Sequence, residues 1–134
     1  MAKLTGMQRV EAFLQEQGWS TTRIGPSVLR SSFRGAEYMF PLVAQFEDGF
    51  LKLMVLPIVR MPADGTKAEK LYERLLRLNG EIMLARFSLD EDGDVLLSVE
   101  FPEDDLDPSE VRDALDVLTY YAEKHQAEIR EIVA

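Results

Sequence analysis

"FPLVAQFEDGFLKLMVLPIV", residues 40–59, contains a turn and the two strands it joins. Counting from Tyr38, the residues Phe40, Leu42, Ala44 and Phe46 fall at every second position, so one face of the first strand is wholly apolar. Pro41 lies on the opposite parity. It has no N–H to give to a ladder, which predicts an edge strand or a bulge there. Asp48-Gly49 is the dipeptide favoured in two-residue hairpin turns. Phe50 to Val59 then returns with apolar residues on both parities: Leu51, Leu53, Val55 and Val59 on one, Phe50, Met54, Leu56 and Ile58 on the other. A strand apolar on both faces needs a second covering layer, which could be a helix, a second subunit or a bound peptide.

On the N-terminal side, "SVLRSSFRG" reads as a weaker strand that precedes the hairpin. Before it, Thr5 and Gln8 have the capping-box spacing. Met7, Val10, Phe13 and Leu14 share one helical face, and Gly18 follows as a stop. On the C-terminal side, Thr66 and Glu69 repeat the capping-box spacing and open a second helix. Its stripe is Ala68, Leu71, Tyr72, Leu75 and Leu78, and Asn79-Gly80 closes it. Alternating runs from Met83 to Leu89 and from Val95 to Phe101 flank the polar turn Asp90–Asp94, which predicts a second hairpin. A last helix is capped by Asp107, with Pro108 at N1 and Glu110 at N3. Val111, Leu115, Leu118, Ala122, His125, Ile129 and Ile132 line it, over a length of about 36 Å. The order is α-β-β-β-α-β-β-α, an α+β fold with one mostly antiparallel sheet packed by helices. With 134 residues, no repeat and evenly spread turn signals, the chain reads as a single domain, 1–134.

The net charge of −9 is unevenly spread. Residues 1–80 hold 11 Lys/Arg against 8 Asp/Glu, and residues 81–134 hold 4 against 16. Such a chain repels nucleic acid, whose binders must neutralise phosphates. Arg23, Arg30 and Arg34 around Phe33 form the one basic-aromatic stretch, and we expect it to dock against the acidic half, in the same chain or a second copy. The absence of cysteine excludes disulfides and thiol catalysis and fits a reducing cytoplasm. "MAKLTGMQRV" has no apolar run of signal-peptide length. The apolar stretch 50–59 is far short of the ~20 residues of a membrane span.

Motifs for chemistry are sparse. Asp90, Asp92 and Asp94 resemble a calcium loop, but an EF-hand counted from Asp90 needs glycine at its sixth position and glutamate at its twelfth. Val95 and Phe101 stand there. His125, the one histidine, lies on the apolar stripe and reads as a core or interface residue rather than a metal ligand. Glu103, Asp104, Asp105 and Asp107 read as a helix-capping, dipole-matching cluster. No phosphate-binding glycine motif occurs. The residues therefore point to no catalytic residue, metal or cofactor.

The segment 71–102, "LYERLLRLNGEIMLARFSLDEDGDVLLSVEFP", joins L-x-x-L-N at a helix end to F-x-L-D, an acidic-glycine turn and V-x-L-x-V. With the final amphipathic helix and the 40–59 hairpin, it resembles the YbjN-like proteins and the type III secretion chaperone-like fold they share. The resemblance implies a homodimer without enzyme activity. In the secretion chaperones, such dimers hold non-globular segments of other proteins on apolar patches and strand edges, and YbjN-like members are described as sensory or regulatory. It brings over no catalytic residue. The expected binding or dimer surface is Phe50, Met54, Leu56 and Ile58, where a polypeptide partner or a second copy would sit, with strand addition along 50–59 or the Pro41 edge. A regulatory adaptor or a small-molecule sensor is the alternative.

Overall fold

The hairpin at 48–49 forms with both Asp48 (φ 52) and Gly49 (φ 80) in the left-handed region, as a twist-matched two-residue turn requires. It joins β3 (Met39–Glu47) to β4 (Phe50–Val59), paired from Glu47↔Phe50 to Leu42↔Val55. The computed structural model describes residues 5–104 and 106–134. The remaining elements are α1 (Gly6–Glu16), β1 (Thr22–Ile24), β2 (Val28–Arg34), α2 (Gly65–Asn79), β5 (Arg86–Leu89), β6 (Val95–Pro102) and α3 (Pro108–Val133). Six antiparallel strands form one sheet in the order β1-β2-β3-β4-β6-β5. The fold is α+β, as expected, with one strand more. β1 escapes a periodicity reading because all three of its residues are exposed.

One sheet face carries the core. Leu29, Leu42, Ala44, Leu51, Leu53, Val55, Leu97, Val99 and Phe101 all point to it, and they cluster with Val10 and Leu14 of α1, Leu71 and Leu78 of α2 and Leu118 and Ile129 of α3. The helical layer is thus the inner cover that the doubly apolar β4 demanded. Arg9 of α1 donates to the carbonyls of Leu106 (3.2 Å) and Glu103 (3.5 Å), which ties α1 to the approach to α3.

Two of the three helix starts follow the expected caps. Gln8 N–H donates to Thr5 Oγ1 and Thr5 N–H to Gln8 Oε1; Asp107 and Glu110 exchange the equivalent pair. The start of α2 corrects the expectation. Asp64 is its N-cap and accepts from Thr66 N–H (2.8 Å) and Lys67 N–H (3.3 Å), so Thr66 and Glu69 form no capping box. A carboxylate caps better than a hydroxyl because it also meets the positive end of the helix dipole. Those N–H bonds, Lys67's first, hold the Asp64 carboxyl below its ordinary pKa. The end of α2 differs too. Gly80 stays right-handed (φ −78), and the Asn79 side chain leaves the helix for β5.

The strand expected from Met83 begins only at Arg86. Met83 N–H donates to Tyr121 Oη (3.0 Å), and Ala85 N–H turns back to the Met83 carbonyl (2.7 Å). The intervening Leu84 sits at φ 67, a costly conformation for a side chain of its size. With those donors committed, residues 83–85 cannot join a ladder.

Pro41 also departs from expectation. β3 lies between β2 and β4, so it is not an edge strand. Its residues Met39–Pro41 pair only with β2, however, and the ladder with β4 stops at Leu42. The missing N–H of Pro41 is tolerated because β4 has already parted from it.

Candidate functional site

No helix residue joins the opposite, outer face of the sheet in the core cluster. Its side chains are set by the register. Val43, Met54, Ser98 and Arg86 form one row, and Gln45, Lys52 and Glu100 another. Glu100 Oε1 accepts from Arg86 (2.6 Å) and Lys52 (3.5 Å), so long polar side chains span the rung occupied by Ser98. Met54 and Leu96 are buried here without belonging to the main core.

The four residues expected to form a binding surface are therefore split by depth. Phe50 is 47% exposed beside the 48–49 turn, and Leu56 is half-buried. Met54 is 5% exposed, flanked by Val43 and Ser98. Ile58 is 1% exposed and belongs to the inner core. Strict alternation put Ile58 with Phe50 and Met54, but the ladder with β6 slips between Val55 and Val59, and the alternation is broken with it. The outer surface keeps Phe50, Leu56 and the rim of Met54.

Strand addition along 50–55 is closed off, since β4 is paired on both sides there. The sheet edges are β1 and β5. On β5, the Asn79 side chain donates from Nδ2 to the Phe87 carbonyl (2.9 Å) and accepts the Phe87 N–H at Oδ1 (2.7 Å). One amide side chain thus occupies both outward groups of the strand's second residue, as a neighbouring strand would. Sequence reading took Asn79 for a stop signal only, since nothing local says that its amide crosses to residue 87. β1 has no such clip among the described residues. Its side chain Arg23 makes a two-point ion pair with Glu11 of α1 (2.8 and 3.0 Å), whose hydrogen bonds hold the Glu11 carboxyl below its ordinary pKa. Arg23 was expected to meet the acidic half of the chain; α1 supplies its partner instead.

The acidic turn behaves as a hairpin. Asp90 Oδ1 accepts from Asp92 N–H and Asp94 N–H (both 2.9 Å), and Asp94 Oδ1 accepts from Met61 N–H (2.8 Å). Oxygens of the three carboxylates approach within 4.8 Å of one another, but those of Asp90 and Asp94 already organise backbone. In the 103–107 cluster Asp107 caps α3, while Asp105 lies outside the described residues.

His125 is buried on α3, stacked on Tyr121 (6.0 Å between centroids) and edge-on to Phe87 (6.3 Å). Burial lowers its pKa, Lys124 and Arg74 add to that, and Glu128 (3.9 Å from Nδ1) and Glu81 oppose it. A histidine with a lowered folded pKa takes up its proton more readily in the unfolded chain. Its contribution is therefore complete above the unfolded value of about 6.5 and declines as pH falls from there toward the folded value. The urea midpoint is expected to fall as pH drops below about 6.5 and to do so less steeply in His125→Phe. Equal slopes in both proteins would show that His125 is not responsible.

These features match known proteins over nearly the whole chain. The model of the YbjN family, described as "Putative bacterial sensory transduction regulator", matches residues 7–131. The chain belongs to the YbjN family. The crystal structure of YbjN from E. coli superposes with a TM-score of 0.63 at 12% identity, covering 94% of this chain and 96% of that one. A chain of the heterodimeric ExoU–SpcU complex from the Pseudomonas aeruginosa type III secretion system gives 0.61 at 19% identity, covering 92% and 96%. The Yersinia pestis type III secretion chaperone SycH, in complex with a fragment of YscM2, gives 0.54 at 19% identity, covering 88% and 97%. No curated protein matches. This YbjN-family chain thus has the type III secretion chaperone-like fold. Among its described residues no helix is long and apolar enough to cross a membrane.

Proposed function

We propose that this YbjN-family chain is a non-enzymatic, cytoplasmic homodimer that binds polypeptide segments in the manner of a chaperone, without cofactor. The observation that carries the reading is the outer sheet face. All three helices pack on the other side, and Phe50, Leu56, Val43 and the rim of Met54 remain there as apolar surface, with the Gln45–Lys52–Glu100 row lying between Phe50 and Met54. Support comes from structural relatives that were solved as complexes with polypeptide partners, ExoU–SpcU and SycH–YscM2 among them. An extended segment lying on this face would reach the β1 edge, which no further strand covers among the described residues. Pairing of two copies and capture of a partner would draw on the same face.

Native mass spectrometry over a roughly tenfold dilution tests the homodimer, because mass action separates weak from persistent association. We expect a persistent dimer in the wild type and a shift to monomer in Phe50→Glu, with thermal unfolding little changed because Phe50 is half-exposed. Anisotropy of a labelled, reduced and carboxymethylated polypeptide tests the binding reading, and the same substitution is expected to weaken it. A dimer and a binding curve both indifferent to Phe50→Glu would remove the outer face from the account.

The family description favours one second reading, a regulatory adaptor whose partner is folded. An unfolded competitor displaces the partner in the first case and leaves it in place in the second.

A further inference from the structure

The parting of β3 and β4 creates a site of its own. Beyond Leu42↔Val55 the two strands no longer pair, and Leu56–Ile58 pair with neither β3 nor β6. Proline placement accounts for this. By ladder parity Pro41 lacks the N–H that would point at β4, and Pro57 lacks the one that would point at β6. The fork opens into a cleft of about 690 Å³ walled by Tyr38, Met39, Pro41 and Pro57, with Arg60 and Arg130 among its lining residues.

Two properties of this cleft stand out in an acidic chain. Among the described residues no carboxylate side chain lines it, and neither Arg60 nor Arg130 forms an ion pair. The guanidinium of Arg130 is also held in place. It lies 3.9 Å over the Tyr38 ring, and its Nε donates to Gln126 Oε1 (3.1 Å). That fixes the plane of the fork while its terminal nitrogens stay uncommitted. A planar guanidinium in this state is suited to a carboxylate. The apolar walls suit intervening aliphatic side chains, and the backbone of 56–58, with the side of 39–41 that faces away from β2, suits the main chain of an extended peptide.

We propose that this cleft docks an extended, acidic segment of a partner polypeptide, with carboxylates on Arg60 and Arg130. The proposal rests on the polypeptide-binding reading above and adds the charge of the segment and a second place of contact. Net charge argues against a nucleic acid here. One or two carboxylates meet only the local arginines, whereas a chain of phosphates extending beyond the cleft meets the field of a −9 protein.

The test uses fluorescence anisotropy on the full chain. The probe is a labelled peptide that alternates Glu and Leu around a central Pro, and the control has Gln for each Glu. The Glu peptide is expected to bind at least about tenfold more tightly than the control, as charge-assisted bonds to arginine imply. Arg60→Gln with Arg130→Gln should reduce it to the level of the control. Arg60→Gln alone should weaken it without moving the thermal midpoint, which keeps the result independent of any packing lost with Arg130. Phe50→Glu should leave it bound. Equal affinity for the two peptides overturns the proposal. So does free glutarate competing as well as the peptide at equal concentration, since that marks a small-carboxylate site. If the unfolded polypeptide still binds while the arginine variants hold the Glu peptide unchanged, the cleft is wrong and the outer-face reading stands. If neither probe binds, both readings fall.

Discussion

Leu53→Ala is expected to lower the unfolding free energy by about 2–5 kcal/mol, the range for truncating a buried leucine whose surroundings cannot collapse. Leu53 is fully buried on the inner face, between Ala44 on β3 and Val99 on β6, within the cluster that α3 closes. Against a typical total of roughly 5–15 kcal/mol this is a large share. Lys52, one residue earlier, points to the outer face and shares Glu100 with Arg86. Lys52→Ala is expected to cost no more than about 1 kcal/mol, since exposed ion pairs contribute little. Urea unfolding of the two variants side by side checks the assignment of faces. Similar losses for both would mean that the strand is not oriented as described.

Asn79→Ala is expected to give the second large effect, and a different one. It strips the Phe87 N–H and carbonyl of their partner in a half-buried setting, at a cost of about 1–3 kcal/mol. It also bares the β5 edge, so the variant should associate beyond the wild-type species as concentration rises, which sedimentation velocity would show. Lower stability with unchanged sedimentation would separate the two roles and retain only the first. Asn79→Asp, which keeps an acceptor for the N–H but loses the donor, should fall between.

Most of the architecture was legible because it depends on local periodicity. In the 40–59 hairpin, the 95–101 strand and the stripe of α3, the core-facing side writes itself into the spacing of apolar residues. What escaped was decided across long separations. Residues 83–85 alternate like a strand, yet Tyr121, far along the chain, takes the Met83 N–H. Thr66 and Glu69 have capping spacing, but Asp64 lay two residues closer to the start with a stronger acceptor. Ile58 was placed by parity on the outer face, and the slip against β6 put it in the core. The candidate site was only half visible for the same reason. Phe50 and Met54 could be assigned to one face from alternation, whereas Asn79 on β5 and the meeting of Arg60 and Arg130 at one cleft required the chain to be folded first.

The amide clip on β5 has a consequence for how copies of this protein can join. In step-growth polymerisation a monomer with two reactive ends makes chains, and a monomer with one makes pairs. A sheet with two open edges belongs to the first kind. Here one end is clipped at Phe87 by Asn79 and the other is the three-residue β1, so among the described residues the two sheet edges leave the protein monofunctional for edge-to-edge pairing. Edge pairing at β1, with a partner or a second copy, would end at its first addition.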